Sequence, residues 1–251
     1  MRRWFADPVV TQVVNGDFLR SDLVAGMGTE DFLAELGRRT IQAYLDPIQS
    51  YAALWPQGKF DPKKYAKRSF YADGTGKLTF ERFAGEVLAA WYDESFTNRL
   101  CGRGPLPHDN TPVFDSLAYE EVGDVVRVYL IQAKTTENSP ASNANLAARK
   151  FAGIESGEFA YEFSKALNQM AMLFPSEVKR RSVMSAIYER EQRRFCVTAV
   201  HATAAPTAVL TRYNLHVEGE TARRSAIFLR LPDWESAWEI VAAAAYAEIS
   251  D

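Results

Sequence analysis

Residues 125–133 hold Val125, Val126, Val128, Tyr129, Leu130 and Ile131 in a nearly continuous apolar run, preceded by Glu120, Glu121, Gly123 and Asp124. A short run without polar alternation is what a strand buried on both faces requires. Such a strand needs cover on each side, which commits the chain to a sheet with helices on both faces. The rest of the pattern agrees. Residues 113–119 read as a preceding strand, 120–124 as the turn between the two, and 194–200, 206–215 and 226–231 as further strands. Helical spacing marks Phe32, Leu33, Leu36, Ile41, Ala43 and Tyr44, a run that should stop near Pro47. Thr79 stands as an N-cap for 80–92, where Phe80, Ala84, Val87 and Trp91 form an apolar stripe. Helices are also expected around 146–154, 158–173, 177–192 and 234–249. The fold class is therefore α/β, a mixed central sheet flanked by helices with a helical N-terminal region. A single domain spans 1–251, divided into 1–75, a core at 76–175, and C-terminal strands and helix at 176–251.

Composition narrows the function. Of 251 residues, 47% are hydrophobic and 24% charged, an ordinary globular balance. The two cysteines, Cys101 and Cys196, are too few for a disulfide framework and fit a reducing compartment. Arg2 and Arg3 are followed by no apolar segment, so no signal peptide is expected, and no apolar run approaches a membrane span. The expectation is a cytoplasmic protein without a membrane partner. With 29 basic against 32 acidic residues, the whole surface is not that of a dedicated nucleic-acid binder. The basic clusters at Lys63, Lys64, Lys67 and Arg68, at Lys179 to Arg181, at Arg193 and Arg194, and at Arg223 and Arg224 read as solvated faces.

Several chemistries are absent from the pattern. His108, His201 and His216 show no metal-ligand spacing, and Cys101 near His108 has no partner pair. There is no nucleophile elbow, phosphate loop or dinucleotide fingerprint. Trp55, Trp91, Trp234 and Trp238 read mostly as core residues rather than as a base-stacking platform.

What remains is Asp115 on one strand, a turn, and Gln132, Ala133 and Lys134 closing the next. Residues two apart on a strand share a face, so Gln132 and Lys134 project together, and an antiparallel neighbour sets Asp115 beside them. Aspartate, an amide oxygen and a backbone carbonyl are oxygen ligands for a hard divalent cation. A lysine ammonium beside them can act on an attacking water and offset charge on a phosphorane-like transition state.

This constellation resembles the PD-(D/E)xK, restriction-endonuclease-like nuclease superfamily. Phe114 and Asp115 match its first acidic position and Gln132-Ala133-Lys134 its (D/E)xK element, with the glutamine of Mrr-type enzymes in place of an acid. The resemblance covers roughly residues 78–155. It implies that Asp115 and Gln132 bind Mg²⁺ or Mn²⁺ with the Ala133 carbonyl, and that Lys134 acts on the nucleophilic water. It also implies a catalytic glutamate on the preceding helix. Glu81 and Glu86 both stand there, and the small neighbours of Glu86 favour it. The implied activity is hydrolysis of DNA phosphodiester bonds, as the effector subunit of a bacterial antiphage system beside a helicase- or translocase-type partner. The alternative is a degenerate nuclease-fold subunit that binds nucleic acid or a partner protein. Residues 1–75 and 175–251 exceed a minimal nuclease core and are expected to dock the partner, or else simply to complete the hydrophobic core. Thr135, Thr136 and Asn138 are placed to contact phosphate or to cap the next helix, with capping favoured, and Glu120, Glu121 and Asp124 are read as solvated turn acids.

Overall fold

The computed structural model describes residues 4–5, 9–13, 16–23, 28–52, 61–71, 76–97, 99–105, 114–203 and 212–250. Seven strands form one mixed sheet: β1 (Val9–Val13), β2 (Gly16–Asp22), β3 (Leu100–Arg103), β4 (Ser116–Val122), β5 (Val125–Thr136), β6 (Arg193–His201) and β7 (Arg224–Arg230). Their spatial order is β1-β2-β7-β6-β5-β4-β3. The pairs β2/β7, β7/β6 and β6/β5 are parallel, whereas β1/β2, β5/β4 and β4/β3 are antiparallel. The helices are α1 (Thr29–Ala52), α2 (Pro62–Tyr71), α3 (Gly76–Phe96), α4 (Pro140–Ser156), α5 (Ala160–Ala171), α6 (Glu177–Ser185) and α7 (Trp234–Ser250). The expected α/β architecture, a mixed sheet flanked by helices, is what the chain forms.

The sheet divides the apolar residues into two cores. Ile131, Cys196, Val200, Ile227 and Leu229 meet Phe32, Leu36, Phe80, Ala84, Val87 and Trp238 on the face covered by α1, α2, α3 and α7. Val126, Val128, Leu130, Phe195, Val197 and Phe228 meet Ala147, Phe151, Phe163, Leu167 and Val183 on the face covered by α4, α5 and α6. Strand β5 therefore sends its even-numbered side chains to one core and Ile131 to the other, as its apolar run requires. Every residue of β6 is buried.

Several local expectations are corrected. The N-terminal region is not wholly helical, because β1 and β2 form a hairpin that joins the sheet through β7. The signal was weak because β2 (GDFLRSD) is mostly polar and its main partner is more than 200 positions away in sequence. Helix α1 runs through Pro47 to Ala52 instead of stopping. It packs closely on α7: a side chain at Gly37 would meet the Val241 carbonyl oxygen at 2.3 Å. Thr79 lies inside α3 rather than at its cap. Asp115 precedes β4 instead of standing within it, and Glu120 and Glu121 belong to the strand, leaving a two-residue turn in which Gly123 takes φ 63°. Such a tight hairpin turn needs the left-handed conformation that glycine adopts without cost. Helix α6 ends at Ser185, and residues 190–192 form a 3-10 turn. In the stretch expected as a strand at 206–215, Tyr213–Leu215 is a 3-10 turn, and residues 206–211 lie outside the described residues. His108 and Trp55 also lie outside them.

The basic pairs at the strand starts are buried, not solvated. Arg193, Arg194, Arg223 and Arg224 are all under 9% exposed. Arg193 donates to the carbonyls of Ile154, Ala186 and Ile187, and Arg224 to those of Val217 and Gly219. Glu155 accepts from Arg223 at 2.9 and 3.0 Å and pairs with Arg193 at 3.4 Å. These guanidiniums close the carbonyl ends of α4 and the α6 exit, an application of arginine's rigid fork of donors. Among the described residues no helix is long and apolar enough to cross a membrane.

Candidate active site

The site residues gather at the C-terminal end of β5. The β4–β5 register pairs Ser116 with Ile131, so Asp115, one residue earlier, falls opposite Gln132. The Asp115 backbone N–H donates to the Ile131 carbonyl at 2.8 Å. Its carboxylate then takes over where the β4 ladder stops. Oδ2 accepts the Ala133 N–H at 2.6 Å and a short bond from Gln132 Nε2. The expected juxtaposition of Asp115 with Gln132 is thus present. Lys134 continues the same even-numbered series on β5, and its ammonium donates to the Ala133 carbonyl oxygen at 2.9 Å. That carbonyl is the backbone oxygen the resemblance gives to a metal ion.

Gln132 is 1% exposed, and its Oε1 is a buried acceptor with no hydrogen-bond partner among the described residues. Leaving a buried amide oxygen unpaired costs about 1–3 kcal/mol. An atom held this way is suited to receive something from outside the chain.

Helix α3 brings the glutamate. A Cβ on Gly85 would lie 1.9 Å from Thr135 Oγ1 and 3.1 Å from Thr135 Cβ, so only glycine lets this helix sit so close to β5. Glu86 follows, and the small neighbour does what the sequence suggested. Glu81 lies five residues back, about 140° away around the helix, so the two acids cannot share one direction. Glu86 is the one whose electrostatics couple to Asp115 and Lys134. Burial and then the Asp115 charge push its carboxyl up from 4.5 to about 8, against the opposing pull of Lys134, Lys150 and Arg82. Among the described residues no hydrogen bond or ion pair reaches that carboxylate. Asp115 is also raised, chiefly by burial, although Lys134 and the Ala133 N–H favour its charged form. Burial lowers Lys134, with Asp115 opposing and Lys150 assisting. Two carboxyls that disfavour each other's ionisation, next to a lysine with a weakened hold on its proton, form an environment prepared for proton movement and cation binding.

Two neighbours went unnoticed in the sequence. Arg82 lies one helical turn before Glu86 on α3, and Lys150 lies on α4; both charges are felt at Glu86 and Lys134. The only available signals were the i, i+4 spacing of Arg82 to Glu86 and the place of Lys150 between the buried Ala147 and Ile154.

All donors here are oxygens: two carboxylates, the Gln132 amide and the Ala133 carbonyl. Such a set suits Mg²⁺ or Mn²⁺ rather than zinc. Among the described residues no three His, Cys, Asp or Glu side chains cluster to hold a metal ion. The orphaned Gln132 oxygen and the unpaired Glu86 carboxylate make the residues present a fit for a hard divalent ion. Comparison of the chain with protein-family models and with curated proteins finds no match to either.

Proposed function

We propose that this chain is a metal-dependent nuclease that hydrolyses DNA phosphodiester bonds. The observation that carries the reading is the convergence of Glu86, Asp115, Gln132 and Lys134 at one strand end, with the buried Gln132 Oε1 left unpaired. Asp115, Gln132 and the Ala133 carbonyl would hold the ion, with Glu86 at its edge. A divalent ion bound there supplies Lewis acidity toward a phosphoryl oxygen and lowers the pKa of a water. Lys134 orients the attacking water and, with its lowered pKa, is fitted to move a proton from it. The order α3, β3, β4, β5, α4, β6 supports the resemblance to the PD-(D/E)xK superfamily, since it runs from glutamate helix to hairpin to lysine strand.

The reading extends to a cytoplasmic subunit that receives DNA from a helicase- or translocase-type partner in bacterial defence. The pI near 5.8 supports this part, because little counterion release is available to hold DNA without help. Purification from the native host under mild salt tests it: a chain that elutes alone and cuts DNA efficiently refutes the partner.

A second reading, a non-catalytic nuclease-fold subunit, is favoured by one fact. Asp115 Oδ2 already serves as a ladder cap for Ala133 and Gln132, which is a sufficient structural role. The two separate on plasmid DNA with Mg²⁺. The enzyme reading expects cleavage by wild type, none in chelator, and a drop of about 10²–10³-fold in Lys134→Ala. Equal cleavage by wild type and Lys134→Ala removes Lys134 from the mechanism, and no cleavage by wild type with either Mg²⁺ or Mn²⁺ favours the binding subunit.

A further inference from the structure

Helix α4 leaves the C-terminal end of β5 and delivers its own C-terminal end to the start of β6, where Arg193 bonds the Ile154 carbonyl. It therefore runs back along the sheet. Lys150, ten residues into the helix, is about 15 Å from its start at 1.5 Å per residue. On a strand that distance is roughly four to five residues, the level of Gln132. Lys150 thus stands level with Asp115 and Gln132, on the α4 face of the sheet toward which the even-numbered residues of β5 project. Arg82 stands on α3, which packs on the other face.

Neither cation has a hydrogen bond or ion pair among the described residues. Arg82, Lys134 and Lys150 give the site three positive side chains against the two carboxylates of Glu86 and Asp115. Those five groups sum to +1 before any divalent ion is added, on a chain whose net charge is −3. A local excess of this kind attracts an anion that outlasts the metal's own ligand set.

The geometry points to Arg82 and Lys150 as a two-sided grip on the phosphodiester backbone, one cation from each helix layer, an inference that rests on the nuclease reading above. These contacts would fix the strand's position without reading its bases, because phosphates carry no sequence information. Lys150 is half-buried and Arg82 is exposed.

The test uses a short labelled duplex in chelator, so that binding is read without cleavage, with affinity measured by anisotropy over a series of salt concentrations. Lys150→Gln and Arg82→Gln should each reduce the slope of log affinity against log salt by about 0.9, the loss of one phosphate contact. Lys150→Arg should restore it. Lys64→Gln on α2 removes a charge from the exposed basic cluster and should leave the slope unaltered. In the presence of Mg²⁺, Lys150→Gln should lose kcat/KM mainly through a higher KM. If wild type cuts DNA but Lys150→Gln keeps the full slope and KM, the grip is refuted and the nuclease reading stands. An equal loss of slope in Lys64→Gln also refutes it, as diffuse attraction. If wild type neither binds nor cuts DNA, both readings fall.

Discussion

Replacing Glu86 with glutamine should stabilise the protein, and more so as pH rises. In the folded chain the carboxyl titrates at about 8 rather than 4.5, with burial the main cause and Asp115 the second. Below about pH 4.5 folded and unfolded chains both hold the proton, so Glu86 has no differential effect. Between 4.5 and about 8 the unfolded chain releases it while the folded chain keeps it, and stability falls with rising pH. Above 8 the deficit is constant. At 1.36 kcal/mol per pH unit the ceiling is about 5 kcal/mol. Part of the rise belongs to the Asp115 pair and water reaches the carboxylate, so about 2 kcal/mol is the working figure. The isosteric amide removes this cost. For a chain of this length, thermal unfolding should then show Glu86→Gln melting roughly 4–8 °C above wild type at pH 8. The two proteins should nearly coincide at pH 4. A variant no more stable than wild type at pH 8, or an advantage that stays the same from pH 8 to pH 4, refutes the reasoning. The same substitution should abolish cleavage, because strain at a site and activity there have one origin.

Two further substitutions probe the frame. Gly85→Ala forces α3 away from Thr135, so it should cost about 1–3 kcal/mol in urea unfolding and reduce cleavage with it. Adding Thr135→Ala should recover part of both, and no recovery would mean that the close approach is not the cause. Glu155→Ala strips Arg193 and Arg223 of their common carboxylate in a buried setting and should cost about 3–5 kcal/mol. The urea midpoint should fall with its slope unchanged, and a loss under 1 kcal/mol would show that the backbone carbonyls alone suffice.

What the sequence made legible is what local periodicity encodes. Val126, Val128 and Leu130 against Ile131 announce a two-sided strand, and the period of two that buries them also places Gln132 and Lys134 together. Asp115 beside Gln132 needed only the short hairpin through Gly123, a connection of low sequence separation. What stayed hidden depends on distant partners. Strand β2 is specified by its pairing with β7, and α1 continues past Pro47 while packing on the distant α7. Lys150 and Arg82 are single cations on amphipathic helices, and only the depth and direction of α4 and α3 bring them to β5. The buried arginines were hidden for the opposite reason. Charge predicts solvation unless acceptors converge, and the acceptors here are helix-end carbonyls that no side-chain pattern records.

The two ends of the sheet hold similar charges in different circumstances, and that difference is what supports placing the proposed chemistry at the end of β5. At the start of β6 and β7 four guanidiniums are buried, yet their donors end on carbonyls or on Glu155, so the cluster is closed and leaves a ligand little to complete. At the end of β5 the bookkeeping is open. Glu86 has no partner among the described residues, Gln132 Oε1 has none, and Lys134 has only the carbonyl of its own neighbour. A fold selected for stability alone would fill these positions with apolar side chains of similar volume, which is often neutral or stabilising. Keeping mutually opposed acids and an unpaired buried amide costs free energy in the chain by itself. Under the proposed function, an ion that binds N and not U would offset that cost and tie the stability of this strand end to its binding.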